Sequence, residues 1–210
     1  VSRLTRAQSQ AQTSARLIEA AGRAVAERGF GAVSVDEIAD RAGYSRGAFY
    51  ANFENKEALL LGVLRAHMES EIAELQALFE ETSRTPALLE RLEAWMRETH
   101  ADADWALLSA EMQLHALRSP HFGEQYAALQ RDHRGALAEI LALLFTRAGR
   151  ALPVDAGALA ATIKALVQGL ALQNALHFGD WEAIDAMQMI RLIFQALIKT
   201  APSLGDGDKD

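Results

Sequence analysis

The 210-residue chain reads as all-α, with a small N-terminal unit of helix-turn-helix type followed by a larger helical body, about nine helices in total. Three observations carry that reading. Half of the residues are hydrophobic and only 4 are proline. Apolar residues recur at three- and four-residue spacing, and strand-like alternation is absent. The stretch SVDEIADRAGYSRGAFYANFENKEALL, residues 34–60, packs three tight helix signals into a very short span.

The first helix is expected over 8–28, with Leu17, Ala20, Ala21, Ala24 and Val25 on one face, ended by Gly29-Phe30. Ser34 stands three residues before Glu37, the spacing of a reciprocal capping box. Val35, Ile38, Ala39 and Ala42 give the second helix one apolar face, and Gly43 can stop it in the left-handed conformation. Ser45 is placed to cap a third helix whose buried side is Ala48, Phe49 and Phe53. Asn55 can cap a fourth, running from Lys56 to about Glu81. Pro86 suits the first turn of a fifth helix reaching about His100, and Asp102 can cap a sixth ending near Arg118. Ser119-Pro120 opens a seventh to Arg147, and residues 149–153 form a loop. Asp155 caps an eighth helix to Phe178; Gly179-Asp180 turns into a ninth, 181–199. The expected division is a helix-turn-helix domain at 1–55, a ligand-binding and dimerisation domain at 56–201 and a disordered tail at 202–210.

Helix, glycine turn and short helix form the skeleton of a helix-turn-helix, which also occurs in proteins that never touch nucleic acid. The exposed chemistry of the second of these helices favours DNA. Ser45, Arg46 and Gly47 let backbone approach a groove and offer amides to a phosphate. Arg46 can neutralise a phosphate or read a guanine edge, while the Tyr50 hydroxyl and Lys56 can reach backbone oxygens. The net charge of −7 argues the other way until its distribution is considered. Residues 1–56 hold 8 Lys/Arg against 6 Asp/Glu, and the remainder 13 against 22, a mildly positive head on an acidic body.

This stretch resembles the DNA-binding signature of the TetR/AcrR family of bacterial transcriptional repressors. The resemblance runs through Ile38-Ala39, Ala42-Gly43, Ser45-Arg46-Gly47, Phe49-Tyr50, Phe53, Lys56-Glu57 and Leu59, and includes Glu27-Arg28-Gly29-Phe30 upstream. It covers about residues 8–60; beyond them only the helical layout is similar. Ala48 departs from the family's usual threonine or serine, and Ala51-Asn52 from bulkier residues, so the operator cannot be copied from a relative. The resemblance implies a homodimer on a palindromic double-stranded DNA operator, released by a small hydrophobic or aromatic effector. The DNA-facing set is then Ser34, Tyr44, Ser45, Arg46, Gly47, Ala48, Tyr50, Asn52 and Lys56.

In the body, large aromatics with a few polar tips are what line a small-molecule pocket. Candidates are Trp95, Trp105, Met112, His115, Phe122, Tyr126, His133 and Gln168, against the alternative of ordinary core. Helices eight and nine are apolar almost all round, which predicts burial on two sides. A second chain is the preferred cover, through Leu159, Ile163, Leu166, Leu170, Met187, Ile190, Phe194 and Leu197; the alternative is a central place within a monomer. The family resemblance also implies dimerisation through the last two helices.

Catalysis is not expected: there is no cysteine, no Gly-x-Ser-x-Gly and no phosphate-binding loop. No Glu-x-x-His occurs, so neither a bundle metal site nor any cofactor is anticipated. No secretory signal is visible in residues 1–16. The longest apolar stretch, 158–178, is broken by Lys164, Gln168, Gln173 and Asn174 and reads as a helix buried in protein rather than in a membrane. A cytoplasmic, ligand-responsive DNA-binding regulator is therefore the expectation. Its rivals are an effector-independent DNA-binding protein and a helical-bundle enzyme or metal carrier.

Overall fold

The computed structural model describes residues 5–82, 84–100, 103–175 and 186–204. Among them lie nine helices: α1 (Arg6–Arg28), α2 (Val35–Ala42), α3 (Arg46–Tyr50), α4 (Lys56–Glu81), α5 (Thr85–His100), α6 (Ala103–Arg118), α7 (Pro120–Arg147), α8 (Ala156–Ala175) and α9 (Ala186–Thr200). The starts and stops follow the local signals. Ser34, Ser45, Asn55 and Asp155 each accept the backbone N–H three residues on, at 3.1, 3.2, 2.8 and 2.8 Å. Gly43 is left-handed (φ 76, ψ 29), with Gly43 N–H bonded to Asp40 O and Tyr44 N–H to Ala39 O, the pairing of a Schellman stop. The full capping box lies elsewhere, between Thr5 and Gln8. Glu37 makes no such return bond, because Arg28 and Arg41 hold its carboxylate at 2.8 and 3.2 Å. Asp102, the expected cap of the sixth helix, and residues 176–185 with the Gly179-Asp180 turn fall outside the described residues.

The chain separates into two compact units, but not at residue 55. The first is Val1–Met68 with Leu107–Leu129; the second is Glu69–Ala106 with Gln130–Asp210. The first half of α4 belongs to the head because its apolar side is buried there. Leu59, Leu60 and Leu64 are buried, Gly62 lies against Phe53 and Ile18, and Gly22 of α1 lies against Val63 and Leu108. The α1 face predicted from sequence, Leu17 to Val25, is buried in the same unit beside Ile38 and Phe49.

In the second unit α9 packs on α5 and α8 around a core that includes Leu88, Leu144, Phe145 and Ile190. The start of the tail is ordered, which corrects the expected disorder at 202–204. Ala151 N–H donates to Pro202 O at 2.8 Å, Leu204 N–H to Gly149 O at 3.1 Å, and Arg150 forms an antiparallel bridge with Ser203. Buried Ala201 anchors this segment, so backbone pairing costs it little further freedom. Residues 205–210 are outside the described part.

Within one chain α8 and α9 are buried on one side only, unlike helices placed centrally within a monomer, the alternative reading of the sequence. Ile190 and Phe194, one turn apart on α9, are buried in their own chain, whereas Met189 and Leu192 are each 47% exposed. By length and composition the span Ala156–Gln173 of α8 is apolar enough to cross a membrane, yet only 17% of it is buried. Its buried residues, Leu159, Ala160 and Val167, face the core, and Ile163, Leu166 and Leu170 are partly buried against it.

Candidate nucleic-acid interface and effector region

The DNA-facing geometry starts from Phe49. Its ring is completely buried, which pins α3 to the head and fixes the opposite side outward. Ser45, Arg46 and Gly47 are exposed there, and Tyr50 is 48% exposed. Arg46 reaches back to Asp36 at 3.1 Å and lies 5.6 Å from the Tyr50 ring centre. Both partners of that ion pair are largely solvated, so it is weak and easily exchanged for a phosphate or a base. A Cβ at Gly47 would meet only Ser45 Oγ, at 3.7 Å, so glycine here keeps the surface low rather than relieving a clash.

The other proposed contacts carry local duties. Ser34 and Ser45 are N-caps, so their hydroxyls already accept a backbone N–H. Tyr44 is half-buried after the Gly43 turn, and Ala48 is half-buried as well. Asn52 turns inward, its amide donating to Ala48 O at 2.8 Å. Lys56 does more than offer a charge. Its Nζ donates to Phe30 O at 2.6 Å and Val33 O at 2.8 Å, and sits 4.1 Å from the Phe30 ring centre. Burial lowers its pKa. Lys56 thus clamps the α1–α2 turn, a role absent from its expected phosphate contact.

The eight pocket candidates do not gather within either unit. Met112, His115, Phe122 and Tyr126 belong to the first; Trp95, Trp105, His133 and Gln168 belong to the second. Met112 and Phe122 are fully buried. His115 lies between Phe30 and Phe122, at 4.3 and 4.8 Å between ring centres, and Tyr126 stacks on Phe122 at 6.0 Å. Glu57 Oε1 receives His115 Nε2 at 2.5 Å and the Ser119 hydroxyl at 3.1 Å. From α6, Glu111 accepts the Phe30 N–H at 3.3 Å. Ordinary head packing therefore accounts for this group of four.

In the second unit the structure brings Lys164, Gln130, Glu71 and Glu74, none of them singled out as site residues, to the candidates His133 and Trp95. Lys164 donates to Gln130 Oε1 at 2.7 Å and contacts His133 Nδ1 at 2.9 Å. His133 Nε2 lies 3.2 Å from Glu71 Oε2. Trp95 donates its indole N–H to Glu74 at 2.7 Å. In the sequence Lys164 stood out only as one of four polar interruptions of the apolar stretch 158–178.

Of the eight expected interface residues, Ile190 and Phe194 are core of their own chain and Leu159 is buried with them, which removes all three from any surface. Ile163, Leu166, Leu170 and Leu197 are partly buried against that core. The side chain of Met187 lies outside the described residues.

Comparison with known proteins agrees with this geometry. Residues 17–63 match the model of bacterial regulatory proteins of the tetR family, and residues 84–199 match the C-terminal model of BetI-type transcriptional repressors. A stretch of 81 residues is 37% identical to the transcriptional activator FasR of Mycolicibacterium smegmatis, covering 38% of this chain and 37% of that protein. The chain thus spans little more than a third of that relative's length. Two solved structures share the fold. FadR from Bacillus subtilis, in complex with stearoyl-CoA, has a TM-score of 0.67 and 18% identity over 88% of this chain and 97% of that one. A transcriptional regulator from Saccharomonospora viridis, in complex with choline, has a TM-score of 0.67 and 21% identity over 90% and 97%. With a helix-turn-helix head built as described and two family models that together span most of its length, the chain belongs to the tetR family of bacterial transcriptional regulators.

Proposed function

We propose that this protein is a ligand-responsive transcriptional repressor that binds a palindromic operator as a homodimer in the bacterial cytoplasm. The observation that carries the DNA-binding half is the outer side of α3, where Arg46, Gly47 and Tyr50 stand in solvent on a rigidly anchored helix. Ser45, Tyr44 and Ala48 flank that surface, and Lys56 can add its remaining hydrogen to a phosphate. The mechanism is binding, not catalysis. Repression is favoured over activation because the BetI-type match covers the body, whereas the likeness to an activator is confined to 81 residues.

The dimer reading is supported by Met189 and Leu192, exposed on α9, and by the partly buried Ile163, Leu166 and Leu170 and the exposed small residues Ala158, Ala161 and Ala165 on the apolar helix α8. A second copy suits this surface better than a bilayer, since Lys164 interrupts α8 near its middle and is held by polar partners. Two heads on one assembly engage two half-sites about 34–36 Å apart. Helices α4, α6 and α7 each contribute residues to both units, so occupancy of the second unit and operator binding by the first are linked through continuous backbone. Regulators of this fold hold ligands as different as choline and stearoyl-CoA, which supports a small-molecule effector without selecting one.

The test is selection of an operator from random DNA by the purified protein, followed by titration across salt. An inverted repeat with two half-sites, and log affinity falling linearly with log salt, is expected. Equal affinity for selected and random DNA would overturn the reading.

A further inference from the structure

The buried cluster in the second unit has a specific deficit. An ammonium has no acceptor, so a Lys164–His133 hydrogen bond requires the Nδ1 lone pair and places the proton of a neutral His133 on Nε2. That Nε2 is buried and makes no hydrogen bond, although Glu71 Oε2 is 3.2 Å away, because the alignment is poor. The His133 side chain is only 2% exposed. Lys164 has two hydrogens committed, to Gln130 and His133, and burial pushes its pKa down to about 8 although Glu71 opposes the shift. Glu74, by contrast, is occupied on both oxygens, by Ser70 at 2.7 Å and Trp95 at 2.7 Å. The cluster is therefore rich in donors and short of an acceptor, and buried polar groups are ordinarily paired.

We propose that Lys164 and His133 form the recognition point for a small carboxylate effector, whose oxygens accept from Lys164 Nζ and His133 Nε2 while Gln130 orients the ammonium. The inference rests on the effector-responsive reading above and names the ligand class. Glu71 holds the acceptor position only loosely, and its charge opposes an incoming carboxylate. Removing that charge should strengthen binding, the reverse of its effect at a site for cations.

The test is calorimetric titration of the intact protein with hexanoate, benzoate, the matched amides hexanamide and benzamide, and choline. Carboxylates should bind at least about tenfold more tightly than their amides, a difference of about 1.4 kcal/mol. Lys164→Met should abolish that preference, His133→Phe should weaken it, and Glu71→Gln should tighten carboxylate binding, with thermal unfolding confirming that each variant is folded. Carboxylate binding indifferent to Lys164→Met, binding of choline that Glu71→Gln weakens, or no carboxylate binding at millimolar concentration would each overturn the proposal. Operator titration separates the two levels. Sequence-specific operator binding without carboxylate binding defeats only this inference; carboxylate binding that leaves operator affinity unchanged keeps the site and defeats the effector reading.

Discussion

Lys56 Nζ is fastened to Phe30 twice, through a 2.6 Å hydrogen bond to its carbonyl and a 4.1 Å approach to its ring centre. The third helix-turn-helix signal in the sequence therefore closes the first turn of the head. Lys56→Met keeps the stem and removes both charged hydrogen bonds, including the one to Val33 O. Such bonds contribute about 1.5–3 kcal/mol each, less where solvent reaches them, so a loss of about 2 kcal/mol is expected in urea unfolding. A variant as stable as wild type, with only a lower salt slope, would return Lys56 to a purely phosphate role.

Arg46 pairs with Asp36 at 3.1 Å across an exposed surface. Asp36→Asn should free the guanidinium and raise affinity for all DNA sequences, measured by fluorescence anisotropy. Arg46→Ala should cost about 1–3 kcal/mol on the operator and relax preference at one position per half-site if it reads a base. Equal loss on specific and random DNA would assign it to the phosphates.

The two sides of α9 should respond oppositely to a carboxylate. Ile190 is wholly buried, so Ile190→Glu places an unpaired charge in the core and should prevent folding or cost more than about 4 kcal/mol. Leu192→Glu or Met189→Glu should leave helix content intact while sedimentation reports a monomer. Dimers of unchanged affinity in both variants would move the interface elsewhere.

Gly43 has φ 76 and open space where a Cβ would stand. Gly43→Ala is therefore strained by backbone conformation alone, at about 1–2 kcal/mol. Because α3 leaves from this turn, operator affinity should fall along with the unfolding midpoint; unchanged values of both would show that the turn tolerates a side chain.

Lys164 supplies a pH dependence of stability. Its pKa is lowered from 10.5 in the unfolded chain to about 8 in the folded one. Below about 8 both states hold the proton; between about 8 and 10.5 the unfolded state binds more protons, so stability rises with pH. Urea unfolding of wild type relative to Lys164→Met should show a gain of at most about 3 kcal/mol across that window. A flat difference would mean that Lys164 stays charged throughout.

Element by element, the head was legible because its signals are local. Ser34, Gly43, Ser45 and Asn55 act within four residues of themselves, so the sequence specifies them without knowledge of the fold. The apolar period of the first helix likewise identified its buried face, and Ser45, Arg46, Gly47 and Tyr50 are exposed together because Phe49 and the short helix leave them no other direction. What only tertiary structure decided was which apolar and polar residues meet across distant segments. Residues 107–129 join the head, so His115 packs between Phe30 and Phe122, a contact between segments remote in sequence. On α9, hydrophobicity alone could not separate Ile190 and Phe194, which face their own core, from Met189 and Leu192, which face outward. Lys164 acquired its meaning only when α7 brought Gln130 and His133 to it. Composition and period record that a side chain wants burial or a partner; only the packing of remote helices determines which partner it receives, and so whether a residue serves core, surface or site.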